Sequence, residues 1–153
     1  MKLAEALIKR ADGQKAINEL KNRLLQCLLV QEGENPPENP NELLDAITNT
    51  VATQINLVER INFTNIATSL PEPHNYTIMA GIARRDYLTW LVAFMRELAT
   101  RAVPTQRYST TEFKWQSTLD PKVLNTKADE LTKERRELDT AIQAAGWNTD
   151  LVD

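Results

Sequence analysis

The chain is poor in the residues that build disulfides, metal sites and phosphate-binding loops. Its 153 residues include one cysteine, Cys27, one histidine, His74, and four glycines. A lone cysteine cannot form an intramolecular disulfide. It also cannot build a metal site of several thiolates within one chain, and one histidine cannot supply the paired Glu-x-x-His motifs of a di-iron bundle. The sequence has no glycine-rich phosphate loop and no serine elbow motif. We therefore expect no metal, no cofactor and no enzymatic activity.

Positive charge and long apolar runs are also scarce. The net charge is -3 at pH 7, so the sequence lacks the basic excess of a nucleic-acid-binding protein and any polybasic run that would attract anionic lipid. The longest apolar runs, such as residues 91–95, fall far short of the roughly 20 residues of a membrane-spanning helix. No signal-peptide pattern follows the first residues. These features predict a cytoplasmic protein with no nucleic-acid partner and no identifiable small-molecule ligand.

Apolar residues recur at spacings of three and four along four segments, which indicates helices. The segments are residues 2–30, 40–69, 76–102 and 121–146. Residues 107–119 alternate with a period of two instead, which predicts a short strand or extended arm. The pattern predicts an all-α single domain over residues 1–153. We expect an elongated antiparallel bundle of four long helices, with a strand-like arm before the last helix.

The second helical segment is poor in charge. Residues 46–71 carry two charges, Glu59 and Arg60, although the helices on either side are dense in charged residues. A solvated helix face normally carries charge, so an uncharged polar face indicates contact with a partner subunit or a membrane. The candidate assembly or membrane face comprises Thr48, Asn49, Thr50, Thr53 and Asn56. Because long helices in a small chain usually bury lateral surface by associating, we expect a homo-oligomer.

Polar residues interrupt the apolar seams of all four helices. Such groups are costly to bury without hydrogen bonds, so we expect them to contact one another and to set helix register. The candidate buried polar network comprises Arg10, Gln54, Asn62, Asn65, Arg84, Arg85, Asp86 and Arg135. An enzymatic alternative, with less support, places a small anionic ligand among Asn65, Arg84, Asp86 and Tyr108. Charged residues along the last helix predict ion pairs at a spacing of four, such as Arg135 with Asp139.

The predicted arm combines cations with aromatic residues. Its candidate contact residues are Arg107, Tyr108, Phe113 and Trp115. This mixture is typical of proteins that bind single-stranded nucleic acid. The net negative charge instead favours packing of these aromatics on the bundle or on a neighbouring subunit.

Several short segments, in the same order along the chain, resemble the septicolysin-like family of small bacterial helical proteins. They are residues 1–8, 30–34, 60–65, 84–86, 107–109 and 137–147. The resemblance implies an all-helical fold, and the family name implies an oxygen-labile, pore-forming haemolysin. Two functions therefore stay open. One is a self-associating bundle with a structural or binding role, and the other is a cytolysin that inserts the uncharged helix into membranes after secretion without a signal peptide.

Overall fold

The protein is all-α. The computed structural model describes residues 1–104 and 115–152, and within these residues the chain forms four α-helices. They are α1 Leu3–Gln26, α2 Pro40–Ala67, α3 Ile78–Arg101 and α4 Pro121–Asn148. In the described residues, β-type pairing is limited to two isolated bridges, Lys2 with Asp150 and Ser69 with Thr77. The predicted fold class is thus confirmed.

Side-chain caps set the starts of three helices. Asn39 accepts a hydrogen bond from the backbone N–H of Asn41, and Pro40 occupies the first turn of α2. The hydroxyl of Thr77 accepts the N–H of Ala80 at the start of α3. Asp120 accepts the N–H of Lys122 at the start of α4. Each cap satisfies a backbone donor that has no partner inside the helix.

The first helix is shorter than the sequence predicts. It ends at Gln26, whereas the apolar spacing predicts a helix to residue 30, and the other predicted bounds agree to within two residues. Cys27 is buried, but Leu28, Leu29 and Val30 are exposed. Since most helical stability in proteins comes from packing of an apolar face, these three residues have no surface that would hold another helical turn.

The chain divides into two compact units. The first unit comprises Met1–Thr68 with Ala144–Asp153, and the second comprises Ser69–Gln143. The first unit therefore contains α1, α2 and the end of α4, and the second contains α3 and most of α4.

Small residues and a buried apolar set hold the first unit together. Leu3, Ala6 and Ile61 are almost fully buried. Gly13 of α1 lies against Gln54 of α2, where a Cβ would come within 1.8 Å of the Gln54 Nε2 atom. The absence of a side chain at residue 13 thus makes room for Gln54 between the two helices.

The segment of residues 149–152 forms hydrogen bonds with the first residues of the chain and with α2. The N–H of Leu3 donates to the Thr149 carbonyl at 2.9 Å, and the N–H of Leu151 donates to the Met1 carbonyl at 2.8 Å. The Leu151 side chain is buried. On the side of α2, the N–H of Val152 donates to the Thr64 hydroxyl at 3.0 Å.

An ion pair between Lys2 and this segment predicts a pH effect. Lys2 Nζ lies 2.9 Å from Asp150 Oδ1, and its hydrogen bond and charge lower the pKa of Asp150. A pKa lowered by folding gives a stabilising contribution that is present above the unfolded-state pKa and is lost as pH falls through the folded-state pKa. We expect Lys2→Met to raise the pKa of Asp150, measured by carboxyl NMR titration. The pKa of Glu38, which Arg23 lowers elsewhere, serves as the control and should not change.

The second unit is held together by close contact between the loop of residues 69–77, α3 and α4. Ile78, Ala99, Leu124 and Leu138 are buried. Gly81 is buried near the start of α3, and a Cβ there would lie 2.7 Å from Leu70 Cδ1 and 3.4 Å from Ile142 Cγ1. The glycine therefore allows α3 to approach both neighbours closely.

The predicted strand-like arm is only partly within the described residues. Arg107, Tyr108 and Phe113 lie outside them. Residues 115–119 are described and contain no strand, because the chain turns here before Asp120 caps α4. Trp115 is exposed rather than packed on a helix.

Candidate functional site

The predicted assembly face of α2 is largely open in the single chain. Thr48, Asn49, Thr53 and Asn56 are exposed, and Thr50 is half-buried. The hydroxyls of Thr48 and Thr53 donate to the backbone carbonyls of the residues four positions earlier, at 2.9 and 3.0 Å. Because both hydroxyl donors already have partners inside the helix, burying these threonines in an interface leaves no hydroxyl donor unpaired. The desolvation cost is therefore lower than for hydroxyls that donate only to water.

An exposed apolar stripe runs along the same helix. It consists of the apolar Leu44, Val51, Ile55 and Ile66 and the polar Thr48 and Asn62, whose spacing places them on one side of α2. The same spacing places the exposed carboxylate of Glu59 beside them. We call this set the α2 stripe. Ile55 is 56% exposed, and Leu44 and Ile66 are also about half exposed. Among the described residues of α2 from 46 to 67, Glu59 is the only exposed charge.

Sequence reasoning missed the apolar part of this surface. The spacing of Leu44 and Val51 is that of a seam, so the sequence predicts that they face the other helices. The structure leaves both exposed. Val51 and Ile55 instead border a groove of about 620 Å³ between α1 and α2, which Arg10 also lines. The signal that could have revealed them is the low charge on both sides of the helix.

The residues of the predicted polar network do not form one buried cluster. Arg10, Gln54, Asn62 and Asn65 belong to the first unit, whereas Arg84, Arg85, Asp86 and Arg135 belong to the second. Of these eight, Arg10, Asn62, Arg84 and Asp86 are exposed and the other four are half-buried. Among the described residues, Thr64 is the polar residue that is fully buried. The long side chains on the helix faces extend to water, which avoids the cost of burying charge.

Arginine–aspartate pairs connect α3 with α4. Arg85 Nη1 lies 3.3 Å from Asp139 Oδ1, and Arg96 Nη2 lies 2.8 Å from Asp129 Oδ1. Arg85 also contacts Asp86 at 2.9 Å, and this hydrogen bond raises the pKa of Arg85. The predicted Arg135–Asp139 pair within α4 is wrong, because Asp139 pairs with α3 instead.

Two further arginines lie beside this connection. Arg135 and Arg136 line a pocket of about 290 Å³ together with Arg85, Thr89 and Asp139. Within residues 1–104 and 115–152, neither Arg135 nor Arg136 has an ion pair or a side-chain hydrogen bond. The pocket therefore contains positive charge that its own carboxylate does not neutralise. This arrangement can accept an anion.

Aromatic side chains form a second exposed surface, on α3. Met79, Ala83, Tyr87, Trp90 and Phe94 recur at spacings of three and four, and all are exposed. The rings of Trp90 and Phe94 are stacked, with centroids 5.1 Å apart. Nearby, the guanidinium of Arg84 lies 4.4 Å from the centroid of the Tyr76 ring. We call Met79, Ala83, Tyr87, Trp90 and Phe94 the α3 aromatic stripe.

The isolated cysteine and histidine take no part in a shared site. Cys27 is buried at the end of α1. His74 Nδ1 lies 3.1 Å from the Tyr76 hydroxyl in the loop before α3. A group of three or more histidine, cysteine, aspartate or glutamate side chains that could hold a metal ion is absent from the described residues. In that same part of the chain, every helix is too short or too polar to span a bilayer.

A solved structure has the same fold as this chain. It is described as the crystal structure of a functionally unknown conserved protein from Corynebacterium diphtheriae. The two chains share 37% sequence identity and superpose with a TM-score of 0.87, and the match covers 99% of each chain. A search of curated proteins found no match.

The resemblance to the septicolysin-like family is wrong. The family model that matches this chain, over residues 10–151, describes a family of unknown function, DUF6847. The segments behind the resemblance are short, and short charged or apolar segments recur in unrelated helical proteins because helix amphipathicity restricts their composition. The haemolysin activity was implied only by the name of that family, which is not the family of this chain. From its match over residues 10–151, this chain belongs to the DUF6847 family, whose function is unknown.

Proposed function

We propose that this protein self-associates through the α2 stripe and has a structural or binding role rather than a catalytic one. The observation that carries the proposal is the exposure of Leu44, Ile55 and Ile66 on a helix side with almost no charge. Exposed large apolar side chains gathered on one side of a helix are typical of interaction sites in soluble proteins. The α3 aromatic stripe is a second surface of the same character, suited to a binding role.

Covering the α2 stripe has a favourable free energy. Full burial of a leucine or isoleucine side chain contributes about 1.5–3 kcal/mol, so each half-exposed side chain contributes roughly 1 kcal/mol on association. The hydroxyls of Thr48 and Thr53 are already satisfied within α2. The opposing costs are mainly the lost freedom of the subunits and the removal of water from Asn62 in the stripe and from Glu59 beside it.

A second copy of the chain fits the α2 stripe. With 28 residues, α2 is about 42 Å long, which suits an interface that buries about 800 Å² per partner. We expect an antiparallel two-fold contact centred between Thr53 and Gln54. That register places Leu44 near the partner subunit's Phe63, and Glu59 near the partner subunit's Thr48. No two like charges then face each other.

Analytical ultracentrifugation of purified wild-type and Ile55→Lys protein tests the proposal. The wild-type protein is expected to be a dimer or larger at micromolar concentration. Lysine on the α2 stripe loses an apolar contact and places a charge in the interface, twice per dimer, so we expect the dissociation constant to rise at least about tenfold.

Leu29→Lys is the matched control, because Leu29 is a highly exposed apolar residue outside α2. It should leave the assembly unchanged. Far-ultraviolet circular dichroism and thermal melting of all three proteins would show that they fold. A monomeric wild-type protein, or equal dissociation of both variants, would refute the role of the α2 stripe.

A further inference from the structure

We propose that Arg135 and Arg136 bind a phosphate-class dianion, either inorganic phosphate or a phosphate monoester, in the pocket between α3 and α4. The site lies in the second unit, so it is independent of the α2 stripe.

The ion pairs define how α3 and α4 face each other. Arg85 pairs with Asp139 and Arg96 pairs with Asp129, so the helices are antiparallel along this contact. Thr89 lies four residues, about one helical turn, after Arg85, and it lines the same pocket as Arg135 of α4. Each end of the contact has an arginine on α3 and an aspartate on α4. The middle has two arginines on α4 and no carboxylate on α3.

Among the described residues, the aspartate in the pocket makes no ion pair with either arginine, because other residues hold it. Asp139 Oδ1 accepts from Arg85, and Asp139 Oδ2 accepts from Gln143 Nε2 at 2.8 Å. The hydroxyl of Thr89 already donates to the Arg85 carbonyl at 2.9 Å. The pocket therefore offers N–H donors of Arg135 and Arg136 that no side chain of the described residues occupies.

The chemistry of these donors selects the ligand class. A guanidinium presents paired N–H groups that match the oxygens of phosphate, and such charge-assisted bonds are stronger than neutral ones. Two positive charges are balanced by a dianion, and a tetrahedral oxyanion has enough oxygens for both guanidinium groups. The volume of about 290 Å³ lies at the lower limit for ligand pockets, which suits a phosphoryl group with a small substituent.

Isothermal titration calorimetry of the full chain with inorganic phosphate, at fixed ionic strength, tests the site. We expect saturable binding of one phosphate per chain. Arg135→Gln and Arg136→Gln should each weaken it by at least about tenfold, since each removes a charge-assisted contact. Lys127→Gln removes an exposed charge from the same helix outside the pocket and should bind phosphate as the wild type does.

Two further titrations make the result decisive. Chloride at matched ionic strength should give no saturable heat, whereas equal responses to chloride and phosphate would overturn the proposal. Methyl phosphate distinguishes the two sources of the anion, because its binding supports a phosphate monoester and its failure, with phosphate still bound, supports inorganic phosphate. Unchanged affinity in folded Arg135→Gln and Arg136→Gln proteins, checked by thermal melting, would also overturn the site.

Discussion

Ile61→Ala is expected to lower the free energy of unfolding by about 2–5 kcal/mol, the usual cost of removing a large aliphatic side chain from a core. Ile61 lies on α2 in the first unit and is 1% exposed. The substitution removes apolar contacts and leaves a cavity, because close-packed surroundings relax only partly. Chemical denaturation monitored by circular dichroism measures the loss.

Ile8→Ala is the matched control for this prediction. It makes the same chemical change on a helix of the same unit, but Ile8 is about half exposed. We expect a change within about 0.5 kcal/mol, typical of surface substitutions. If both variants lose the same free energy, the assignment of Ile61 to the core of the first unit is incorrect. Measurement at low protein concentration keeps association from contributing.

Thr64→Val is expected to destabilise the first unit by about 1–3 kcal/mol, although valine has nearly the same shape as threonine. Thr64 is completely buried. Its hydroxyl donates to the Arg60 carbonyl at 2.8 Å and accepts the N–H of Val152 at 3.0 Å. Valine cannot accept, so the backbone donor of the segment 149–152 loses its protein partner.

Two measurements separate this effect from a general loss of stability. Hydrogen exchange at the amide of Val152 should become faster in Thr64→Val than the change in global stability requires. Thr126→Val removes a hydroxyl that makes the same kind of bond, to the Lys122 carbonyl at 3.0 Å, but on an exposed helix face. It should change stability by less than about 0.5 kcal/mol. Equal effects of the two substitutions would argue against a role of Thr64 in holding the segment.

The two proposals assign different roles to the two units. The α2 stripe offers apolar surface with few charges, which suits a second copy of this chain. The pocket at Arg135 and Arg136 offers charge in a small volume, which suits a small anion. Because the α2 stripe and the arginine pocket lie in different units, an Ile55→Lys variant that loses association can still be tested for phosphate binding.

The sequence by itself determined the helices and the lack of charge on α2. Caps such as Asn39 and Thr77, and the prolines between the segments, act within a few residues of where they stand, so they are readable without the fold. The same is true of the uncharged stretch of residues 46–71, which is a property of composition.

Only the tertiary structure decided which side of each helix is covered and which charges meet. Leu44 and Ile61 both belong to the seam that the apolar spacing predicts along α2, yet one is 52% exposed and the other 1% exposed. Spacing along the chain says which residues share a helix face, but burial depends on where the neighbouring helices lie. Likewise, Asp139 lies four residues from Arg135 and pairs with Arg85 on α3 instead. The physical reason is that an ion pair depends on distance in space, and residues 54 positions apart become neighbours only when α3 and α4 pack together.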